Sequence, residues 1–377
     1  MEKIIFRKFL YDFISFFLIV SLSLSLIVWI IQSVNYLDFI SKDGHGFKVY
    51  FAFITLNFPK IFSKVIIFSF FISMFYIIQK YQTNNEILIF WTNGIGKLKL
   101  INFILKVSIF FLIFQLLLVY TIVPKLQSYS RDFIRTSNID LFSSLITEKK
   151  FIDTVKDFTI FVENIDDKGN MENIYLKDSI DKFNSQIISA KSGSIIEKGK
   201  EKYLNLKFGH ILDIENNNFN KAKIIKFNNT TFNLSNLKGK TTTYPKIQEL
   251  NSKILYSCFK NFFYGEKQSY VLPTFNCSED SSVKSAKELF DRSIKQSYTL
   301  ILGVIASFLI LINKTNSKNN LYKILILIAG LIFLILSEIN SEFINLSLSN
   351  NIFGVFLPII FFIFAYILIL NLNKKTI

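Results

Sequence analysis

Ionisable side chains recur at four-residue spacing inside apolar stretches of this sequence. Lys60 and Lys64 form one such pair, and Glu338 and Glu342 form another. Residues four apart share one face of a helix, and a charge at membrane depth is costly enough to indicate a function. Two interpretations remain open. The pairs neutralise one another or extend to the lipid headgroups, or the lysines bind lipid phosphates at the mouth of a cavity.

The sequence offers no residue set for covalent or metal catalysis. Its two histidines, His45 and His210, are far apart, and its two cysteines are Cys258 and Cys277, so we expect no zinc site. The Gly-x4-Gly-Lys-Ser/Thr phosphate loop is also missing. We therefore predict a non-catalytic chain without cofactor or metal. If the cysteines lie outside the cytoplasm, a disulfide and two free thiols are both open.

A segment with signals for the start and the end of a helix lies between the second and third apolar blocks, within residues 79–99. Thr83 and Glu86 have the spacing of a capping box, a mostly apolar run follows, and Asn93-Gly94 supplies a helix stop. We predict a short amphipathic helix over residues 83–94. It either lies on the membrane surface with Glu86 as a cap only, or docks into a groove on a cytoplasmic partner.

Long apolar blocks must position these side chains. The chain has 377 residues, of which 51% are hydrophobic, including 43 Phe. A helix needs about 20 mostly apolar residues to cross a bilayer. Blocks of this kind, with polar flanks that can extend the shorter ones, predict six transmembrane helices at residues 13–34, 51–78, 100–123, 298–312, 322–336 and 352–370.

The positive charge of the chain, +15 overall, is unevenly distributed along it. Lys and Arg concentrate before the first block, between the second and third, between the fourth and fifth, and after the sixth. The positive-inside rule then places both termini in the cytoplasm and residues 125–295 outside. A nucleic-acid binder is disfavoured because no run of five or six basic residues occurs.

The exported region has mostly β character. Strand-forming runs at short, regular spacing favour a sandwich or roll, and helical segments are expected on either side of them, at residues 125–136 and 285–297. Residues 166–170, Asp-Asp-Lys-Gly-Asn, predict a turn after the first strand. The predicted strands are residues 151–163, 172–177, 186–196, 202–212 and 222–234.

Several motifs occur in an order that resembles a known family. They are Asn-Phe-Pro at 57–59, Tyr-Gln-Thr-Asn-Asn-Glu-Ile at 81–87, Asn-Gly-Ile at 93–95, the strand-like stretch 150–163, and Ile-Tyr-Leu at 174–176. The combination is similar to the LptF/LptG family of lipopolysaccharide-export ABC transporter permeases, and closer to LptF. The resemblance covers almost the whole chain.

The resemblance implies an α-helical inner-membrane protein with six transmembrane helices and an all-β, jellyroll-like periplasmic domain between helices three and four. Residues 1–124 would hold helices one to three, residues 125–295 the periplasmic domain, and residues 296–377 helices four to six. Implied partners are an LptB-like ATPase dimer that binds the ATP, an LptG-like sister permease, LptC-like and LptA-like jellyroll proteins, and lipopolysaccharide.

The resemblance also implies functional residues. The family carries basic residues at the outer end of the first helix, where this chain has Gln-Ser-Val-Asn-Tyr at 32–36. That departure makes Lys42, Lys48, Lys60 and Lys64 the candidate phosphate contacts. The segment 83–94 corresponds to the coupling helix that contacts the ATPase. Its predicted coupling residues are Thr83, Asn84, Asn85, Glu86, Ile87, Phe90 and Gly94.

Two other functions remain as alternatives. A mechanotransmission ABC permease would move a periplasmic partner without carrying substrate, although such proteins usually have four spans. A membrane-anchored sensor or hydrolase with an exported β domain would need a cytoplasmic output domain or a catalytic set.

Overall fold

The structure is a computed structural model. The chain folds into two compact units. One unit comprises Met1–Ile30, Asn57–Ser128 and Tyr244–Ile377, and the other comprises Ile31–Leu56 and Tyr129–Thr243. The residues that the structure describes are 2–37, 46–136, 146–153, 158–166, 169–179, 184–198, 201–215, 223–234, 246–263, 270–272, 275–312, 319–344 and 348–375.

Ten α-helices occur in the described residues. A π-helical turn, Leu118–Ile122, joins the fourth of them to the fifth. In chain order they are α1 (Glu2–Asn35), α2 (Phe47–Thr83), α3 (Ile87–Thr92), α4 (Lys97–Leu117), α5 (Val123–Thr136), α6 (Ser252–Phe263), α7 (Glu279–Arg292), α8 (Ile294–Leu311), α9 (Asn319–Glu342) and α10 (Leu348–Lys375).

Six helical segments in the described part of the chain are long and apolar enough to cross a membrane, which confirms the six predicted blocks. They correspond to α1, α2, α4 with α5, α7 with α8, α9 and α10. Most extend beyond the apolar blocks because their polar ends continue the helix. The amphipathic segment predicted at 125–136 lies within α5, and the one predicted at 285–297 spans the junction of α7 and α8.

The α7–α8 segment is the central span of the first unit. Its most apolar stretch is 72% buried, against 17% for α1 and 22% for α9. Gly303 on α8 faces Ser108 on α4 so closely that a Cβ there would overlap the serine hydroxyl. Phe13 and Phe17 on α1 place their rings 5.7 Å and 4.8 Å from Phe70 on α2 and Phe111 on α4. Aromatic packing thus joins the outer helices.

Hydrogen bonds between helices satisfy polar groups inside the apolar core. The amide of Gln115 donates to the Ser63 carbonyl over 3.3 Å and accepts from the Thr299 hydroxyl over 3.4 Å. Asn340 donates to the Tyr298 hydroxyl over 3.1 Å and to the Gly354 carbonyl over 3.0 Å. Where no water competes, such bonds hold neighbouring helices together.

The second unit contains one antiparallel six-stranded sheet between residues 151 and 233. Each strand pairs with the next along the chain, in the order β1 to β6. Inward-facing residues such as Ile160, Ile174 and Leu204 form its core, and Gly169, at φ +77°, closes the predicted turn after β2. The strands are β1 (Phe151–Ile152), β2 (Phe158–Ile165), β3 (Asn170–Ser179), β4 (Asn184–Lys198), β5 (Glu201–Glu215) and β6 (Lys223–Asn233).

A disulfide-bridged segment precedes α7, and the sequence did not predict its helix. It contains α6 and a small hairpin of β7 (Tyr270–Leu272) and β8 (Phe275–Cys277). Cys258 on α6 is bonded to Cys277, with their Cα atoms 5.8 Å apart. The sequence had left open whether the two cysteines are bonded or free, and the structure shows that they are bonded. The bridge fixes α6 to the strand that leads into α7.

Candidate functional site

The segment between α2 and α4 differs from the prediction at its first residues. Thr83 is not the N-cap of a new helix. It ends α2, and its hydroxyl donates to the Lys80 carbonyl over 2.9 Å. Asn85 takes the left-handed conformation at φ +60°, which asparagine tolerates. Glu86 occupies the N-cap of α3, and no side chain caps that helix. The predicted capping box is therefore wrong.

The predicted stop of this helix is confirmed. Gly94 has φ +74°, and the Ile95 amide donates to the Phe90 carbonyl over 2.9 Å. This reversal ends α3 after six residues, a shorter helix than residues 83–94 suggested. The loop therefore presents a single compact helical turn between two long helices.

Phe90 anchors α3 to the first unit. Its side chain is 1% exposed, and its ring lies 5.9 Å from Phe6 and 6.3 Å from Phe9, both on α1. Tyr81, near the end of α2, is 6.3 Å away. Through this one ring α3 contacts two other helices, α1 and α2.

The opposite face of α3 is apolar and exposed. Leu88 is 52% exposed and Ile89 is 47% exposed. Glu86 is partly exposed beside them and accepts a hydrogen bond from the Asn84 side chain over 3.1 Å. This apolar patch lies next to a carboxylate, and a surface of this kind is suited to contact another protein or the membrane surface.

Two further contacts tie the end of α2 to its neighbours, and the sequence analysis missed both. The Tyr81 hydroxyl donates to Asp12 Oδ2 on α1 over 2.6 Å. The side-chain amide of Gln82 donates to the Leu309 carbonyl on α8. A carboxylate next to an apolar block, as Asp12 is, was the one signal that could have indicated the first contact.

A polar cavity of about 420 Å³ lies near the other end of the first unit's helices. Its wall combines residues of α2, of the π-helical turn and α5, of α7 and α8, and of α9. Of the four predicted phosphate contacts, Lys60 and Lys64 line it. Lys48 is exposed in the first turn of α2 and belongs to the second unit, and Lys42 lies outside the described residues.

The two cavity lysines differ in their contacts. Lys60 Nζ donates to Gln248 Oε1 over 2.6 Å, and with the Gln127 amide oriented to satisfy its neighbours, it also donates to Gln127 over 3.0 Å. Lys64 is exposed and has no hydrogen bond or ion pair with any residue that the structure describes. Lys64 is therefore available for an anion that enters the cavity.

Glu338 and Glu342 do not pair with these lysines. Lys295, at the start of α8, lies 2.6 Å from Glu338, and Lys287 on α7 lies 2.6 Å from Glu342. Both ion pairs join the end of α9 to the α7–α8 segment. The two glutamates, four residues apart on α9, thus form ion pairs with α7–α8. Their spacing in the sequence could not identify these partners.

Arg292 is the largest fully buried polar side chain of this region, at 1% exposure. It donates to Glu288 over 2.9 Å, to the Leu250 carbonyl over 2.9 Å and to the Gln248 carbonyl over 3.0 Å. A buried guanidinium needs such partners. Arg292 thereby holds the disulfide-bridged segment against α7 and positions Gln248 beside Lys60.

A second, apolar groove of about 800 Å³ runs along α8, α9 and α10. Its wall includes Phe333, Phe361 and Phe364. No cluster of three or more His, Cys, Asp or Glu with metal-binding geometry occurs in the described part of the chain. The polar cavity, the apolar groove and the α3 patch are candidate sites in the described part of this unit.

Comparison with known proteins is consistent with this architecture. The family described as "Lipopolysaccharide export system permease LptF/LptG" matches residues 7–372. A curated relative, "Uncharacterized protein RP871" of Rickettsia prowazekii (strain Madrid E), is 24% identical over 209 residues, which is 55% of this chain and 57% of that protein. The chain thus matches little more than half the length of this relative. Because the family match spans nearly the whole sequence and includes all six apolar helices, this multi-pass membrane protein belongs to the LptF/LptG family of lipopolysaccharide export system permeases.

Proposed function

We propose that this chain is a permease subunit that extracts lipopolysaccharide from the inner membrane and passes it to a periplasmic protein bridge. The observation that carries the proposal is the two-sided character of α3. Phe90 is buried against α1 and α2, while Leu88 and Ile89 are exposed on the other face. This is the arrangement that a coupling element requires: one face binds a partner and the other moves the membrane helices.

The partner on the exposed face would be an LptB-like ATPase dimer. ATP binding would move α3, and the Phe90 contacts and the Tyr81–Asp12 hydrogen bond would carry the motion to α1. The energy of the nucleotide enters only as differential affinity for two conformations. The residues assigned to this coupling are Thr83, Asn84, Asn85, Glu86, Ile87, Phe90 and Gly94, with Leu88 and Ile89 added from the structure.

The disulfide supports the proposed orientation. Bridges persist in oxidising compartments such as the periplasm, so Cys258 and Cys277 belong outside the cytoplasm. With six spans, both termini and α3 are then cytoplasmic, and residues 125–295 are periplasmic. Residues 1–124 would carry the first three spans and residues 296–377 the last three.

The six-stranded sheet would be part of a jellyroll that receives the lipid. Its last strand, β6, is mostly exposed, including Ile224 at 65%. An exposed edge strand can pair with a strand of a neighbouring protein. We assign that edge to an LptC-like or LptA-like jellyroll protein, and an LptG-like sister permease completes the membrane portion.

The polar cavity would meet the phosphates of lipopolysaccharide. Lys60 and Lys64 line it, and Lys42 and Lys48 remain proposed contacts from the sequence. Lysine is a common phosphate ligand, and Lys64 has its ammonium group available among the described residues.

The test is co-purification of the full-length protein with candidate ATPases from membranes. We compare the wild type with Glu86→Lys and Leu88→Lys. The matched control is Leu321→Lys, which introduces the same charge at an exposed residue, 60% accessible, in the first turn of α9 on the same proposed side. We expect the two α3 variants to lose the ATPase and the control to retain it.

Lipopolysaccharide release from the same membranes is measured in parallel. If an ATPase co-purifies with the wild type and is lost only with the α3 variants, together with lipid release, the coupling assignment stands. If no ATPase associates with the wild type, or the control loses it equally, the coupling assignment is wrong.

A further inference from the structure

Two buried acceptor oxygens in the wall of the polar cavity have no hydrogen-bond donor among the described residues. They are Oδ1 of Asp291 and Oε1 of Gln296. Gln296 is 5% exposed, and its amide nitrogen already donates to the Asp291 carbonyl over 2.6 Å. Lys295 lies 4.0 Å from Asp291 Oδ1, too far for a hydrogen bond. A buried acceptor without a donor is costly, so a donor from a ligand would stabilise this wall.

Three parts of the cavity wall carry a proline, a π-helical turn or a helix break next to lining residues. Pro59 lies inside α2 immediately before Lys60. The π-helical turn Leu118–Ile122 adds Val119 to the lining, and the break at Ser293 separates α7 from α8 between Asp291 and Gln296. Helix interruptions at membrane depth occur where backbone lines a cavity, and π-helical turns often mark functional sites.

Some charged side chains of the cavity are paired with other residues of the chain, and others can bind a ligand. Arg292 is bonded to Glu288, and Lys295 to Glu338. Lys60 is held by two neutral amides, which can exchange for a stronger acceptor. Within the described chain, Lys64 has no ion pair, and Asp291 has only the 4.0 Å contact with Lys295. The cavity therefore presents a positive side on α2 and an acceptor side on α7–α8.

We infer that this cavity binds a lipid headgroup in which a phosphate stands beside hydrogen-bond donors, with Lys60 and Lys64 on the phosphate and Asp291 and Gln296 on the donors. The inference rests on the proposed function and deepens it, because it makes Asp291 and Gln296 residues that select the headgroup. The shared chemistry belongs to a phosphorylated sugar, through its hydroxyls, and to phosphatidylethanolamine, through its ammonium group.

The dimensions of the cavity agree with such a ligand. A volume of about 420 Å³ lies within the roughly 300–1,000 Å³ of small-molecule sites, whereas one water occupies about 30 Å³. The site also discriminates in principle, because a headgroup without donors would leave two buried acceptors unpaired. Rejection of an analogue that lacks a hydrogen-bonding group is the strongest form of selection available to a polar site.

The test measures lipid binding to the purified full-length protein by native mass spectrometry in detergent. Three lipids are titrated: lipid A, phosphatidylethanolamine, and phosphatidic acid, whose headgroup is a phosphate alone. The variants are Asp291→Asn, Gln296→Leu, Lys64→Ala and Lys60→Ala. The matched control is Asp280→Asn, an exposed carboxylate in the first turn of the same helix, α7.

We expect Gln296→Leu to weaken binding of a donor-bearing headgroup about tenfold, the effect of losing a hydrogen bond to a buried acceptor. Asp291→Asn should weaken it less, because the asparagine oxygen still accepts a hydrogen bond but carries no charge. Binding of phosphatidic acid should not weaken. Lys64→Ala should weaken all three lipids, and Asp280→Asn none. A loss confined to lipid A identifies the sugar as the source of the donors, and a loss confined to phosphatidylethanolamine identifies the phospholipid; either supports the acceptor role.

Folding is checked independently through the Cys258–Cys277 bridge. A shift in gel mobility on reduction shows that the bridge is closed, and every variant must show this shift. If the Asp291 and Gln296 variants are folded and bind every lipid like the wild type while Lys64→Ala weakens them, the acceptors are only hydrated and the inference is overturned. The phosphate role of the lysines then stands. If Lys64→Ala and Lys60→Ala also change nothing, the phosphate contacts of the proposed function fail as well.

Discussion

The Tyr81 hydroxyl and the Asp12 carboxylate form a 2.6 Å hydrogen bond that joins α1 to the last turn of α2. Tyr81 lies two residues before α2 ends, and its ring also contacts Phe90 on α3. The bond therefore lies beside the direct contacts of Phe90 with α1, through which a movement of α3 would reach that helix. It is also a charge-assisted bond, the stronger class in proteins.

Tyr81→Phe removes this bond and keeps the ring. Hydrogen bonds to charged groups contribute about 1.5–3 kcal/mol, so we expect a loss of that order in the free energy of unfolding, measured by denaturant in detergent. The matched control is Tyr11→Phe on α1, where the ring is 71% exposed. A Tyr81→Phe protein as stable as Tyr11→Phe would show that the bond does not hold the helices together.

Truncation of the α3 anchor should separate stability from partner binding. Phe90→Ala deletes a ring that is 1% exposed, and such deletions cost about 3–5 kcal/mol. Leu88→Ala deletes an exposed side chain and should leave the unfolding midpoint near that of the wild type while weakening ATPase capture. Equal midpoints for the two variants would contradict the anchored orientation of α3.

Gly330 on α9 tests the packing of α9 against α2. A Cβ at this position would overlap the ring of Phe71. We expect Gly330→Ala to destabilise the protein by about 1–3 kcal/mol, the usual cost of overpacking, and Gly330→Ala with Phe71→Leu to recover part of it. Gly96→Ala is the control, because its Cβ would have no neighbour within 4 Å. Failure of the double variant to recover would place the strain elsewhere.

The Cys258–Cys277 bridge should stabilise the segment before α7 and report the topology. It closes a loop with a sequence separation of 19, for which chain entropy predicts about 3 kcal/mol. We expect Cys258→Ala with Cys277→Ala to lower the unfolding free energy by that order. In membranes from untreated cells, thiol labelling of the denatured chain should appear only after reduction. Labelling without reduction would place these residues on the reducing side.

Local patterns were sufficient for the gross architecture. Six apolar blocks predicted six long helices because spanning a bilayer imposes a length and a composition on each segment separately. The turn at Gly169 and the stop at Gly94 were predicted for a similar reason, since positive φ is a property of a single residue and both glycines adopt it. The family resemblance rested on such local motifs and is confirmed by the match over residues 7–372.

Predictions failed or stayed open where two distant parts of the chain must meet. Thr83 and Glu86 had the spacing of a capping box, but α2 continues through Thr83 and carries it into a different helix. The disulfide was undecided because two cysteines specify no pairing until α6 and β8 are packed together. The strand at 151–163 was predicted as one segment, and the structure has β1 and β2 there.

By itself, the sequence determined the number of spans and the β character of the region between the third and fourth spans. It also determined the helical stop at Gly94 before α4, and the family. Only the tertiary structure decided which polar residues act together. Lys64 on α2 and Asp291 on α7 are far apart in sequence, and they share one cavity whose wall combines residues of α2, the π-helical turn and α5, α7–α8 and α9. The physical reason is that length and hydropathy are properties of each segment alone. A cavity forms only when several segments pack together. The same holds for a buried anchor such as Phe90 and for an ion pair such as Lys295–Glu338.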